Sequence, residues 1–144
     1  MAINPISSTL FGQTGLAQIE VPTMMIASGD DFFAPPLTEQ IRPFGWLTTE
    51  QRYLVLVEDG THFSFLGGRG QGVVPVPQLL VGPDPVLAFP QLQALSLAFL
   101  RATVQEREDY GSLLNPSAVA ELNADTLRLS LIREDVLGVA KKMC

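Results

Sequence analysis

The chain has 144 residues, 47% of them hydrophobic and 17% charged, with a formal net charge of −6. That is apolar material enough for one domain with a core, and it excludes a chain disordered throughout. It also argues against nucleic acid as the main partner, because neutralising phosphates takes clustered Lys and Arg, and the nine present are scattered.

Segments that would redirect the reading are missing. The first residues, MAINPISSTLFGQ, are neither basic nor followed by a long apolar run, so they do not read as a signal peptide. No stretch approaches the roughly 20 apolar residues of a membrane span. The one cysteine, Cys144, cannot close an internal disulfide, and no zinc-type Cys/His cluster occurs. The compartment stays open. Mean hydropathy is +0.25. Such a value fits either a large buried core or apolar surface meant for another chain.

In chain order, Ala2-Ile3 reads as the end of a strand running into Asn4-Pro5. Residues 7–14 read as turn-rich, and 15–19 as a short helical turn with Leu16 and Ile19 three apart. Residues 23–28, flanked by Pro22 and Gly29, suit a strand buried on both faces. A turn follows at 31–36. A short helix is expected over 37–44, with Leu37, Ile41 and Phe44 on one side and Pro43 distorting or ending it. Thr48 and Gln51 have the spacing of a capping box. Residues 53–57 form a second buried strand. The gap between the strands is about 25 residues and holds a helix, so a parallel pair joined by a right-handed crossover is expected.

Residues 67–90 form a long loop with five Pro and five Gly. Loops of that length are commonly functional or mobile. The glycines at 67, 68, 70 and 72 do not stand between a strand and a helix, so they do not make a phosphate loop. Pro90 suits the start of a helix over 90–109. Leu92, Leu95, Phe99 and Ala102 give it an apolar stripe that Leu97, Leu100 and Val104 widen, which needs a sheet to cover. Asn115-Pro116 opens another short helix as N-cap and N1. Leu127, Leu129 and Leu131 alternate with polar residues and suggest an extended segment, and 134–142 a weak terminal helix. The whole reads as a single α/β domain, 1–144.

The chemistry gathers in residues 21–64. Both buried strands end in turns that carry an ionisable side chain: Gly29-Asp30-Asp31 after the first, and Gly60-Thr61-His62, with the only histidine, after the second. In open parallel sheets functional groups collect at the carboxyl ends of the strands. Neighbouring strand ends lie about 4.8 Å apart, so a carboxylate can reach an imidazole there. The carboxylate would fix the ring's tautomer and leave the other nitrogen free to take a proton. Ser64 is better placed to bond backbone than to attack a substrate.

These motifs resemble the C-terminal portion of the α/β-hydrolase fold. The closest likeness is to esterases of the dienelactone-hydrolase and platelet-activating-factor-acetylhydrolase type, in particular cyanobacterial ones. The matching residues are Val21-Pro22, the acid turn 29–36 with Asp30-Asp31 and Ala34-Pro35, and the His turn 60–64, Gly60-Thr61-His62-Phe63-Ser64. Leu80-Val81-Gly82-Pro83, residues 94–99 and residues 129–133 add to it. The resemblance implies parallel strands with crossover helices and a serine carboxylic ester hydrolase acting on a small ester, with neither cofactor nor metal. It maps the base to His62. It maps the acid to Asp31, four residues before Pro35, with Asp30 as the alternative. Phe32-Phe33 would line an acyl pocket.

The departure is the nucleophile. The family's serine sits in Gly-x-Ser-x-Gly, upstream of acid and base. That motif does not occur, and Ser7, Ser8 and Ser28 lack its glycines. The expectation is therefore a piece that starts at the end of the family's sixth core strand, carries Asp31 and His62, and is inactive alone. Strand edges left open by that loss predict a homo-oligomer or a strand-exchanged dimer. The alternative is a non-catalytic binding or oligomerisation module on the same fold.

Overall fold

A computed structural model of the chain describes residues 1–65, 85–123 and 128–135. Its centre is a four-stranded sheet in the order β1 (Ala2–Ile3), β2 (Thr23–Ser28), β3 (Gln51–Val57) and β4 (Leu129–Asp135). β1, β2 and β3 are mutually parallel, and β4 closes antiparallel on β3. The expected α/β class and the parallel pair of buried strands are present. Register sets Met25 against Leu54 and Ile26 against Val55. The carboxyl ends of β2 and β3 are therefore level.

Successive residues of β2 and β3 serve opposite faces, as strand geometry requires. Met24, Ile26, Tyr53, Val55 and Val57 face one core, with Leu129 and Leu131 of β4. Met25, Ala27 and Leu54 face the other. Both crossovers, β1 to β2 and β2 to β3, cover this second face. Leu16 comes from helix α1 (Ser7–Leu16), and Phe44 and Leu47 from the second crossover. Crossovers of constant hand, with strands advancing in one direction, must land on one side of a sheet.

α1 corrects the expectation of a turn-rich 7–14. It is helical across a break at Gly12, whose φ of 62° suits glycine. No apolar stripe announced it, since Leu10 and Phe11 are exposed. Besides Leu16 in the core, exposed polar bonds tie it. Thr9 donates from its backbone N–H and its hydroxyl to the Glu39 carboxylate, at 3.0 and 2.7 Å. These two bonds hold that carboxyl below its usual range.

The second crossover begins as a π-helical turn, Pro36–Ile41, and runs into α2 (Arg42–Phe44). Arg42 N–H donates to the Leu37 carbonyl, five residues back. Thr48 caps no helix. Its hydroxyl donates to the Ala17 carbonyl at 2.7 Å, and Gln51 opens β3. The β-branched and aromatic run from Tyr53 outweighs the capping signal. Arg52 bonds both the Leu47 carbonyl and Glu134, joining loop, β3 and β4.

The opposite face is covered by α3 (Pro85–Thr103), α4 (Glu108–Gly111) and α5 (Pro116–Glu121). α3 begins at Pro85, so Pro90 lies inside it and not at its start. It ends at Thr103, earlier than the expected 109. A positive φ at Glu106 then breaks the chain before α4. Leu92, Leu95, Ala98 and Phe99 pack on the sheet, with Tyr53 and Phe99 edge to face. Leu97, Leu100 and Val104 do not widen that stripe; they face outward. The apolar side of 92–104 is therefore used within the chain, and only this outer row is left for any contact with another. Asn115 caps α5 through Ala118 N–H, as the sequence suggests.

Residues 67–84 of the expected long loop, Leu127, residues 136–142 of the expected terminal helix and Cys144 lie outside the described residues. Glu134 belongs to β4. Among the described residues no helix is long and apolar enough to cross a membrane.

Leu95 is 1% exposed and Leu97 50%, two residues apart on one helix. Leu95→Ala is expected to cost about 3 kcal/mol in urea unfolding. Leu97→Ala is expected to stay within about 0.5 kcal/mol. Equal losses at the two positions would contradict the orientation of α3.

Candidate active site

The carboxyl ends of β1, β2 and β3 each deliver one polar residue: Asn4, Asp31 and His62. β2 passes into a turn in which Gly29 N–H donates to the Val57 carbonyl and Asp30 N–H to the Gly60 carbonyl, both at 2.8 Å. The two post-strand turns are thereby fastened to each other. Gly29 cannot be replaced there, because a Cβ would stand 2.0 Å from the Glu58 carbonyl oxygen.

Asp31 and His62 meet. Asp31 Oδ2 lies 2.8 Å from His62 Nδ1. The carboxylate is 0% exposed and the imidazole side chain 29%. Asp31 Oδ1 accepts from Phe33 N–H at 2.9 Å and Ala34 N–H at 2.8 Å, and Oδ2 accepts also from Gln40 Nε2 at 3.1 Å. A carboxylate met by three other donors is an acceptor toward the ring, so Nδ1 carries the proton. Nε2 makes no hydrogen bond among the described residues. Asp30, the alternative acid, is exposed, and its hydrogen bond to the Gly60 carbonyl is made by its backbone N–H. The geometry selects Asp31 as the partner of His62.

Two buried carboxamides hold the pair. Asn4, at a φ of 44° that Asn tolerates better than most residues, donates through Nδ2 to the Thr61 and His62 carbonyls, each at 3.3 Å. Its Oδ1 accepts from the Ser28 hydroxyl at 2.8 Å. Gln40 reaches Asp31 from the π-helical turn. Sequence reasoning passed over both. Asn4-Pro5 signalled a turn, but a lone Gln in a helical segment carries no signal for burial.

Ser64 is 1% exposed. Its Oγ accepts from Thr61 N–H at 2.8 Å, so it serves the His turn. Phe33 and Phe63 pack around the imidazole, with ring centroids 5.7 and 5.6 Å from it. Phe32 stands beyond them, 78% exposed. No group of three His, Cys, Asp or Glu able to hold a metal occurs among the described residues. A separate cleft of about 680 Å³ opens between Glu20, Gln51, Glu106 and Arg133, by the starts of β2 and β3. It lies at the opposite end of the sheet from His62.

A partly exposed imidazole with one nitrogen fixed by a buried carboxylate and the other without a hydrogen bond among the described residues can pass a proton to and from a group at Nε2. Compared with protein-family models and with curated proteins, the chain matches none.

Asp31→Asn places an amide among donors, and is expected to cost about 2–4 kcal/mol in urea unfolding. Asp30→Asn is expected to change stability by less than about 0.5 kcal/mol. The reverse order would show that Asp30 is the carboxylate bound to His62.

Proposed function

We propose that this chain supplies the acid and the base of a carboxylic ester hydrolase of the Ser-Asp-His type, with the nucleophile coming from outside these 144 residues. The observation that carries the reading is the 2.8 Å bond from His62 Nδ1 to a fully buried Asp31, across the ends of adjacent parallel strands. The resemblance to the C-terminal portion of dienelactone-hydrolase-like esterases supports it, through the acid turn, the His turn and their order.

In this reading the nucleophile is a serine hydroxyl held at Nε2. Its oxygen attacks the ester carbonyl while His62 takes its proton. His62 returns that proton to the departing alcohol as the C–O bond breaks, leaving an acyl-enzyme. Water then attacks the acyl group, giving its proton to His62, which hands it back to the serine as the acid leaves. Asp31 orients the ring and stabilises its charged form throughout. Phe32, Phe33 and Phe63 suit an apolar group on a small ester. The reaction requires neither cofactor nor metal.

The chain alone is expected to hydrolyse a p-nitrophenyl ester no faster than its His62→Ala variant. A burst dependent on His62 would show that the nucleophile is within the chain. If the gene encodes sequence before Ala2, the longer protein is expected to be labelled at a serine there by a fluorophosphonate. His62→Ala should slow that labelling by roughly 10⁴-fold or more. Absence of such a serine would overturn the hydrolase reading.

A second reading, a binding or oligomerisation module, is favoured by one observation. Leu97, Leu100 and Val104 form an exposed apolar row on the outer side of α3. Single exposed apolar residues are ordinary, but a row along one side of a helix suits contact with another chain. In either reading we expect a homo-oligomer or a strand-exchanged dimer in sedimentation. A monodisperse monomer with a cooperative melt would contradict this.

A further inference from the structure

Gln40 has every polar atom committed. Its Nε2 donates to Asp31 Oδ2 at 3.1 Å and to the Ala34 carbonyl at 2.7 Å, and its Oε1 accepts from Ser28 N–H at 3.2 Å. It is fully buried. The carboxamide has one possible orientation. Turned over, it would set Oε1 against a carboxylate and a carbonyl, and its NH2 against Ser28 N–H.

The oxygen that Gln40 holds is the one His62 uses. Oδ1 is already fixed by Phe33 and Ala34 N–H, but those bonds alone leave the carboxylate plane free to swing about that oxygen. The Gln40 bond is the second point that fixes the plane, and it is anchored in turn to the end of β2 through Ser28. The π-helical turn serves this. It carries Gln40 inward while Leu37 and Thr38 stay exposed, and such turns are frequent at functional sites.

We propose that Gln40 is the positioning residue of the Asp31–His62 pair: it fixes the Asp31 carboxylate so that Oδ2 faces His62 Nδ1, and so sets the ring's tautomer. As a role in catalysis this rests on the hydrolase reading; as a statement about the pair it does not. Gln40 touches neither the reacting atoms nor the imidazole.

One histidine in the chain makes the test direct, by 15N and 1H spectra of the 144-residue protein across pH. The Gln40 side-chain NH2 is expected to exchange with solvent at least about 10-fold more slowly than a free carboxamide. Its shifts should follow the His62 ring with the same midpoint, because both bond one oxygen. In Gln40→Leu, with the fold checked by the backbone amide spectrum, the His62 Nδ1–H resonance is expected to be lost and the ring nitrogens to move toward tautomer averaging. A freely exchanging carboxamide, no common midpoint, or a folded Gln40→Leu chain with an unchanged Nδ1–H resonance would each overturn the proposal. If the leucine variant does not fold, the measurements on the unaltered chain decide. Failure of the hydrolase reading shows separately, as absence of fluorophosphonate labelling while these spectra hold.

Discussion

Burying a carboxylate costs several kcal/mol unless donors replace its lost water. Asp31 is withdrawn completely and is met by two backbone N–H groups, one carboxamide and the imidazole. Meeting those four contacts dictates much of the surrounding chain. The turn after β2 must curl so that Phe33 and Ala34 N–H point back. The π-helical turn must carry Gln40 inward. The turn after β3 must bring His62 across, which it does while gripped by Asn4 and braced by Ser64. Removing the carboxylate would leave several of these groups buried and unpaired at once.

The sheet makes that convergence possible. β1, β2 and β3 run in one direction, so their carboxyl ends, with Asn4, Asp31 and His62, lie at one edge. The two cores are of ordinary kind: alternate residues of β2 and β3 pack against α3 and α5 on one face and against the crossovers on the other. The outer edges, β1 with two residues and β4, are unpaired among the described residues. Edges of this kind invite further strands. That is where the proposals of a nucleophile from another segment and of self-association both find physical room.

The sequence was most legible where burial is uniform. Residues 23–28 and 53–57 are short apolar runs between turn residues, and such runs have few alternatives to a buried strand. The Asp and His turns followed from their places after those strands. Legibility failed where polar contacts at long range decide the structure. α1 shows no amphipathic stripe: Leu16 enters the core at its end, and Thr9 bonds Glu39, thirty residues away. Thr48 carried a capping signal but bonds Ala17. Leu97 and Leu100 looked like core because period alone cannot say how wide a face the sheet will cover. Gln40 and Asn4 escaped because a lone amide reads as surface. The partner of His62 was open between Asp30 and Asp31 on turn chemistry alone; Asp31 is the buried one that bonds the imidazole, and Asp30 is exposed.

The central claim is that Asp31 holds His62 with its proton on Nδ1 and Nε2 open to accept. The most direct test is the 15N spectrum of the single imidazole in the unaltered chain, at a pH where the ring is neutral. The account requires Nδ1 protonated and Nε2 bare, with the Nδ1–H protected from solvent. A ring protonated on Nε2, or one averaging both forms as a free imidazole does, would contradict it.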